Sequence, residues 1–292
     1  MISYRQCASR FLMIKPDNFF FNIETAKSNA FQFRSGFSKS EIKNKVQVEF
    51  KNAVEVLKKE CVEIDLIDPI LMNDLPDQVY PNNWFQVTHD GKLVLFPMQS
   101  TKRRKERQLY IIDHIKSRYL INEVVDLSNY EKNYLFLEGT GSVVLDHVSK
   151  IAYAASSPRT SEKMFRDYCE IIGYKGVFFN AIDVNGVPVY HTNVLMSIGP
   201  GFSVICLELI SKPEREIVIE SLSSSELEII EIDQIQMGCF CGNILTVLVN
   251  KEEYLVLMSE RAEKAFNKHQ LDAISNYAKK ISVPINVIEN IG

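Results

Sequence analysis

Residues 136–183 read FLEGTGSVVLDHVSKIAYAASSPRTSEKMFRDYCEIIGYKGVFFNAID, and they hold one complete structural unit. KIAYA, from Lys150, has the composition of a β-strand. Met164, Phe165, Tyr168, Cys169 and Ile172 fall on one face of a helix. VFFNAID, ending at Asp183, is a second strand-like run. Ahead of all three stands FLEGTG, a further strand-like segment that carries a charge, Glu138, between apolar residues and glycines.

Working outward, the same order recurs. Ile42, Val46, Phe50, Ala53, Val54 and Leu57 form one helical stripe, and Leu109, Ile112 and Tyr119 another. Ser211 and Glu214 predict a capping box before Ile217 and Leu222. Ala262, Ala265, Phe266 and His269 open the last helical stretch, which is expected to reach about Lys280. Each helix precedes a strand-like run ending near an acid or amide: VEIDLID at Asp68, EVVDLS at Ser128, VFFNAID at Asp183, ELEIIEID at Asp233 and PINVIEN at Asn290. Each helix also follows a strand: RFLMIKP from Arg10, KLVLF from Lys92, KIAYA, FSVICLE from Phe202 and EYLVLM from Glu253. The chain therefore reads as five copies of strand, strand, helix, strand. A repeat of this length predicts a radial or stacked architecture, with five units closing into one α/β domain. The competing expectation is an ordinary mixed α/β sheet with coincident spacing. No Pro/Gly/Ser-rich linker divides the chain.

After each acid-ended strand comes a short loop and then a new strand-like run that carries unusual polar residues. They are Asn82-Asn83 in PNNWF, Glu138 in FLEGTG, His191 and Asn193 in YHTNV, and Asn243 in FCGNI. Around a pseudo-fivefold axis these equivalent positions converge, and polar groups with apolar flanks at such a place predict a small-molecule pocket. Each also has a structural reading: an edge carboxylate for Glu138, a packed ring for His191, a turn for Asn82-Asn83. By the same count, the slot that would complete unit one lies 8 to 15 residues beyond the last strand, past Gly292. The expectation is a first unit lacking one strand.

Composition narrows the function. With 46% hydrophobic and 24% charged residues the chain can fill a large core. A net charge of -4 argues against nucleic acid as a partner. The basic run Lys102-Arg103-Arg104-Lys105 reads as a solvated helix start. No apolar run has membrane-spanning length, and the first residues lack the pattern of a secretion signal. The six cysteines are scattered, three within apolar runs, which fits reduced thiols and a cytoplasmic setting. Cys239-Phe240-Cys241 has no further ligand at metal spacing, so no metal is expected.

PNNW, FLEGTGS, SPRT, YHTNV and the ETA-x-x-NAFQ stretch at Glu24–Gln32 resemble the amidinotransferase-related, guanidine-modifying (pentein) superfamily. The likeness is greatest to citrulline-utilisation hydrolases, then to dimethylarginine dimethylaminohydrolases and arginine deiminases. It runs from about Arg10, leaving residues 1–9 as an extension before a single domain, 10–292. The resemblance implies a five-bladed α/β propeller of ββαβ units. It places the catalytic Glu and His at Glu138 and His191, and the guanidinium-binding acid at the Asn82-Asn83 pair, with Asn83 the better match. Arg159 of Ser-x-Arg-Thr would grip the substrate carboxylate. Arg103 with Glu106 matches an Arg-x-x-Glu segment, and Asn193 replaces an Asp. A nucleophilic Cys on a Gly-rich strand should follow Val287-Ile288-Glu289, and this sequence does not contain that strand.

The implied reaction is Cys-His-Glu covalent hydrolysis of a ureido or guanidino side chain, citrulline- or arginine-like, with no cofactor. Asn83 in place of an acid favours neutral citrulline. Without the Cys, hydrolysis is expected to be lost, and the open edge of unit one favours self-association into homo-oligomers. Two alternatives stand beside this reading: an amino-acid-binding pseudoenzyme and an amidinotransferase.

Overall fold

A computed structural model describes residues 5–26, 29, 32, 36–69, 75–251 and 253–292. Residues 1–4 of the expected extension, and Ala30 and Phe31 of the NAFQ stretch, lie outside the described residues. The strands are β1 (Arg10–Ile14), β2 (Glu63–Ile67), β3 (Phe85–Val87), β4 (Lys92–Leu95), β5 (Glu123–Asp126), β6 (Val144–Asp146) and β7 (Ile151–Ala155). They continue as β8 (Lys175–Phe179), β9 (Met196–Gly199), β10 (Phe202–Ile205), β11 (Glu228–Glu231), β12 (Leu245–Val249), β13 (Glu253–Ser259) and β14 (Lys279–Val283).

These strands form a mixed α/β fold of small sheets. Four sheets have three strands each: β3-β4-β5, β6-β7-β8, β9-β10-β11 and β12-β13-β14. In every one the first strand runs antiparallel to the second, and the third runs parallel to it. A hairpin makes the first connection; the parallel pairing needs a crossover, which a helix supplies. The crossover helices include Leu109–Arg118, Glu162–Ile172, Lys212–Ser224 and Lys268–Ser275. The remaining sheet pairs β1 with β2 in parallel, across the helix Lys39–Lys59, and among the described residues it has no third strand. The segment before β1 lies along β12, where Leu248 N donates to Ala8 O at 2.9 Å.

Helix Lys39–Lys59 buries all six residues of its expected stripe, and a Ser38/Glu41 capping box holds its N-terminus. Met164, Phe165, Tyr168 and Cys169 are likewise buried on Glu162–Ile172.

Other expectations need correction. Helix Leu109–Arg118 turns Ile111 and Ile115 inward, against Trp84, Leu93 and Met98, and leaves Leu109 76% exposed. Ser211 forms no capping box. Its hydroxyl instead donates to Glu214, which also accepts from Asn180, and Pro213 removes one N–H of that turn. The last crossover strand is KKISV, paired in parallel with β13, and Pro284 ends it. PINVIEN is therefore not a strand: Asn286–Ile291 is a helix that packs Ile288 and Ile291 against Lys39–Lys59. No helix among the described residues is long and apolar enough to cross a membrane.

The inward face of Leu109–Arg118 is testable by truncation. Ile115→Ala should cost ~2–5 kcal/mol in urea unfolding, whereas Leu109→Ala should stay within about 0.5 kcal/mol. Equal losses would contradict this packing.

Candidate active site

Just before each of the strands β3, β6 and β9 the chain makes a single helical turn: Pro81–Asn83, Gly139–Ser142 and Thr192–Leu195. Glu138 and His191 are the residues at the head of the second and third of these turns, not members of strands as the apolar flanks suggested. Gly139 has φ +47°, and a methyl there would strike the carbonyl oxygens of Asn82 and Asn83. At Gly141 a methyl would press on the His191 ring and the Asn83 amide. The FLEGTG glycines thus let three turns from different units close on one another.

Buried hydroxyls lock this arrangement. Glu138 N donates to Ser142 Oγ at 2.9 Å, and Ser142 Oγ donates to Arg159 O at 3.1 Å. Thr160 Oγ1 donates to Ser142 Oγ at 2.8 Å. Thr192 Oγ1 donates to Ser142 O at 2.6 Å and accepts from Ala155 N at 2.8 Å. The residues next to Glu138, Arg159 and His191 are therefore one network, and each lost link would strand a buried polar group.

At its centre, His191 Nε2 lies 2.9 Å from Glu138 Oε2, with both side chains buried. Glu138 Oε1 accepts the Gln99 N–H at 3.0 Å, and Arg159 Nη1 stands 3.5 Å from Oε2. Burial alone would raise the Glu138 carboxyl, but Arg159 and the His191 hydrogen bond outweigh it and bring it down to about 2. Burial disfavours the imidazolium, and although Glu138 opposes this, His191 falls to about 4. Near neutral pH the pair is a carboxylate and a neutral imidazole. Nε2 must then carry the proton it donates to Glu138, which leaves Nδ1 as a proton acceptor on the Gly141 side.

Asn82, Asn83, Arg103, Arg159, His191 and Asn193 all line one cavity of about 680 Å³, with Glu138 behind His191. Arg103 is buried, paired with Glu106 at 3.0 Å, and donates to Asn83 Oδ1 at 2.7 Å. Arg159 donates to Thr25 O at 3.0 Å and lies over the Tyr190 ring at 4.8 Å. Asn82 is exposed and reaches Thr140 at 3.3 Å, while Asn193 O accepts from Asn243.

Sequence reasoning did not single out Asp77, a buried carboxylate on the same wall. Its Oδ2 accepts from Asn22 at 2.7 Å, and its Oδ1 has no partner among the described residues. The signal was an acid six residues before Asn83 in LPDQVYPNN. Of the six cysteines, Cys7 alone lines the cavity, beside Gln6, which donates to Leu145 O. Burial pushes the Cys7 thiol up to about 12, and the buried Cys241 thiol likewise.

A sequence profile described as N,N dimethylarginine dimethylhydrolase, eukaryotic, matches residues 15–292. No curated protein matches the sequence. Among solved structures, the N-terminal domain of ArgZ bound to substrate, an arginine dihydrolase from the ornithine-ammonia cycle in Cyanobacteria, superposes with a TM-score of 0.73. Identity is 17%, over 96% of this chain and 93% of that one. The chain spans only 38% of the length of the longer ArgZ structure. A dimethylarginine dimethylaminohydrolase adduct with S-methyl-L-thiocitrulline superposes with a TM-score of 0.65 at 15% identity, over 99% of this chain and 95% of that one. At these identities the superpositions speak to the fold.

The state of the histidine can be read from stability. Between its ordinary value near 6.5 and about 4, the unfolded chain protonates this residue and the folded chain does not. The unfolded state then binds more protons, so stability falls as pH drops through that window. Thermal melts across it should show Tm falling with acid, and His191→Asn should make the fall shallower. An unchanged slope in the variant would mean that the folded chain takes up this proton as readily as the unfolded one.

Proposed function

The chain belongs to the N,N-dimethylarginine dimethylhydrolase family, guanidino-group hydrolases of the pentein superfamily, and from that premise we propose that its cavity binds an amino acid with a ureido or guanidino side chain. The observation that carries this reading is the buried Glu138–His191 pair, opening into a cavity that is also lined by two arginines, an amide and the carboxylate residue Asp77. Arg159 suits the substrate carboxylate, and Asp77 is the acid on the same wall that suits its ammonium group. The five sheets are read as five units about one axis, because three successive units each contribute a turn to this one cavity.

The chemistry proposed is covalent hydrolysis. With a cysteine at the slot the resemblance assigns after Glu289, its thiolate would attack the central carbon of the side chain, the C–N bond to the leaving amine would break, and water would then cleave the carbon–sulfur bond. His191 Nδ1 takes up the thiol proton, delivers it to the leaving amine and then draws one from water. Glu138 stands behind His191 and does not line the cavity, so it holds His191 in the donating tautomer rather than gripping substrate itself. Cys7 is a poor nucleophile with so high a proton affinity. That favours a second reading of the 292-residue chain, binding without turnover.

Asn83 bears on the substrate. Its carbonyl oxygen is taken by Arg103, so its NH2 group is the part left to face a ligand. A donor meets the ureido oxygen of citrulline well and the N–H groups of an arginine guanidinium badly. Calorimetry should therefore show tighter binding of citrulline than of arginine, and Asn83→Asp should reverse the order. Ammonia release with binding would support hydrolysis, and binding alone would support the second reading. Failure to bind either amino acid would refute both.

A further inference from the structure

The basic run Lys102–Lys105 is not simply solvated. Arg103 turns into the cavity, while Arg104 and Arg107 turn the other way and meet Glu131. Arg107 Nη2 is 2.7 Å from Glu131 Oε1, and Arg104 Nε is 3.4 Å from Oε2. All three side chains grip the segment Phe96–Gln99. Arg107 donates to Phe96 O at 3.0 Å, and Arg104 donates to Met98 O at 2.9 Å and to Gln99 O at 3.2 Å. Glu131 Oε1 accepts the Met98 N–H at 2.8 Å. The next amide in the chain, Gln99 N–H, is the donor that holds Glu138 Oε1.

The terminal torsion of a glutamate is broad and roughly two-fold, so packing alone sets the plane of its carboxylate weakly. Here one oxygen is fixed by Gln99 N–H and the other faces His191. Swinging the 96–99 segment would release Oε1 and let the carboxylate rotate away from the ring. We propose that Glu131, with Arg104 and Arg107, is a positioning cluster that sets the Glu138–His191 hydrogen bond through the backbone of Gln99. This rests on the reading of Glu138 and His191 as the reacting pair.

The test is NMR of the His191 ring, identified among the five histidines by the signal lost in His191→Asn. In Glu131→Ala, solvent exchange of the His191 Nε2 proton should accelerate roughly 10- to 100-fold, the effect of losing a hydrogen bond to a charged acceptor. Glu131→Gln keeps an acceptor for Met98 N–H and should recover most of the protection. Should Glu131→Ala fail to fold, Arg107→Gln is read in its place, with the same acceleration expected. Wild-type exchange in a folded variant overturns the proposal. Glu138→Gln separates the two ideas: if it too leaves His191 exchange and citrulline binding unchanged, the pair itself is misread.

Discussion

A carboxylate buried as deeply as Glu138 is tolerable only if its charge is answered on every side, and much of the structure around it follows from that requirement. Desolvation of such a group is costly enough to drive protonation unless partners intervene. The partners come from three places distant in sequence: the His191 ring, the Gln99 amide and the Arg159 guanidinium. None of them is adjacent to Glu138 in the chain, so the carboxylate can be both buried and charged only when the units that carry them are docked. The site and the tertiary fold are therefore stabilised together.

The repeated strand, strand, helix, strand unit makes that docking feasible. A hairpin followed by a helical crossover returns the chain to the same end of each sheet. The turn before each new unit thus falls beside the turn of the last, as Gly139–Ser142 does beside Thr192–Leu195. Side-chain hydroxyls then substitute for the strand pairing that irregular backbone lacks. Ser142 alone serves Glu138 N, Arg159 O and Thr160 through its hydroxyl, and Thr192 through its carbonyl.

Much of this was legible because it rests on patterns that survive without context. The stripe on Lys39–Lys59 is local, and so is the alternation of strand and helix. Glu138 and His191 stood out because polar residues in apolar flanks need a reason. What could not be read depended on partners. Ile112 and Tyr119 of the expected stripe pack against the core at its edge, but Ile111 and Ile115 lie at its centre with Trp84 and Leu93, while Leu109 points out, which no helical period reveals. PINVIEN has strand-like residues, but Lys279–Val283 had already taken the place beside β13. Gln99 acts through its backbone N–H, a group every residue but proline carries, so its sequence holds no signal at all.

The division of donors and acceptors in the cavity finally constrains what it can recognise. Arg103 is paired with Glu106 and stands 3.8 Å from Asp77 Oδ2, and its other N–H groups go to the Tyr80 carbonyl and the Asn83 side-chain carbonyl. That last contact turns an ambivalent amide into a donor. Along the same wall Asp77 sets one oxygen against Arg103 and Asn22, and its other, buried oxygen has no partner among the described residues. A ligand that satisfies both must place an acceptor toward Asn83 and a cation toward Asp77. Under the reading proposed above, an amino acid with a neutral carbonyl at the far end of its side chain would do so. Under the same reading, a side chain ending in a second cation would set N–H groups against the Asn83 NH2, because Glu138 stands behind His191 and does not line the cavity. Selectivity in this arrangement comes from the cost of leaving a polar group unpaired more than from the strength of any one contact.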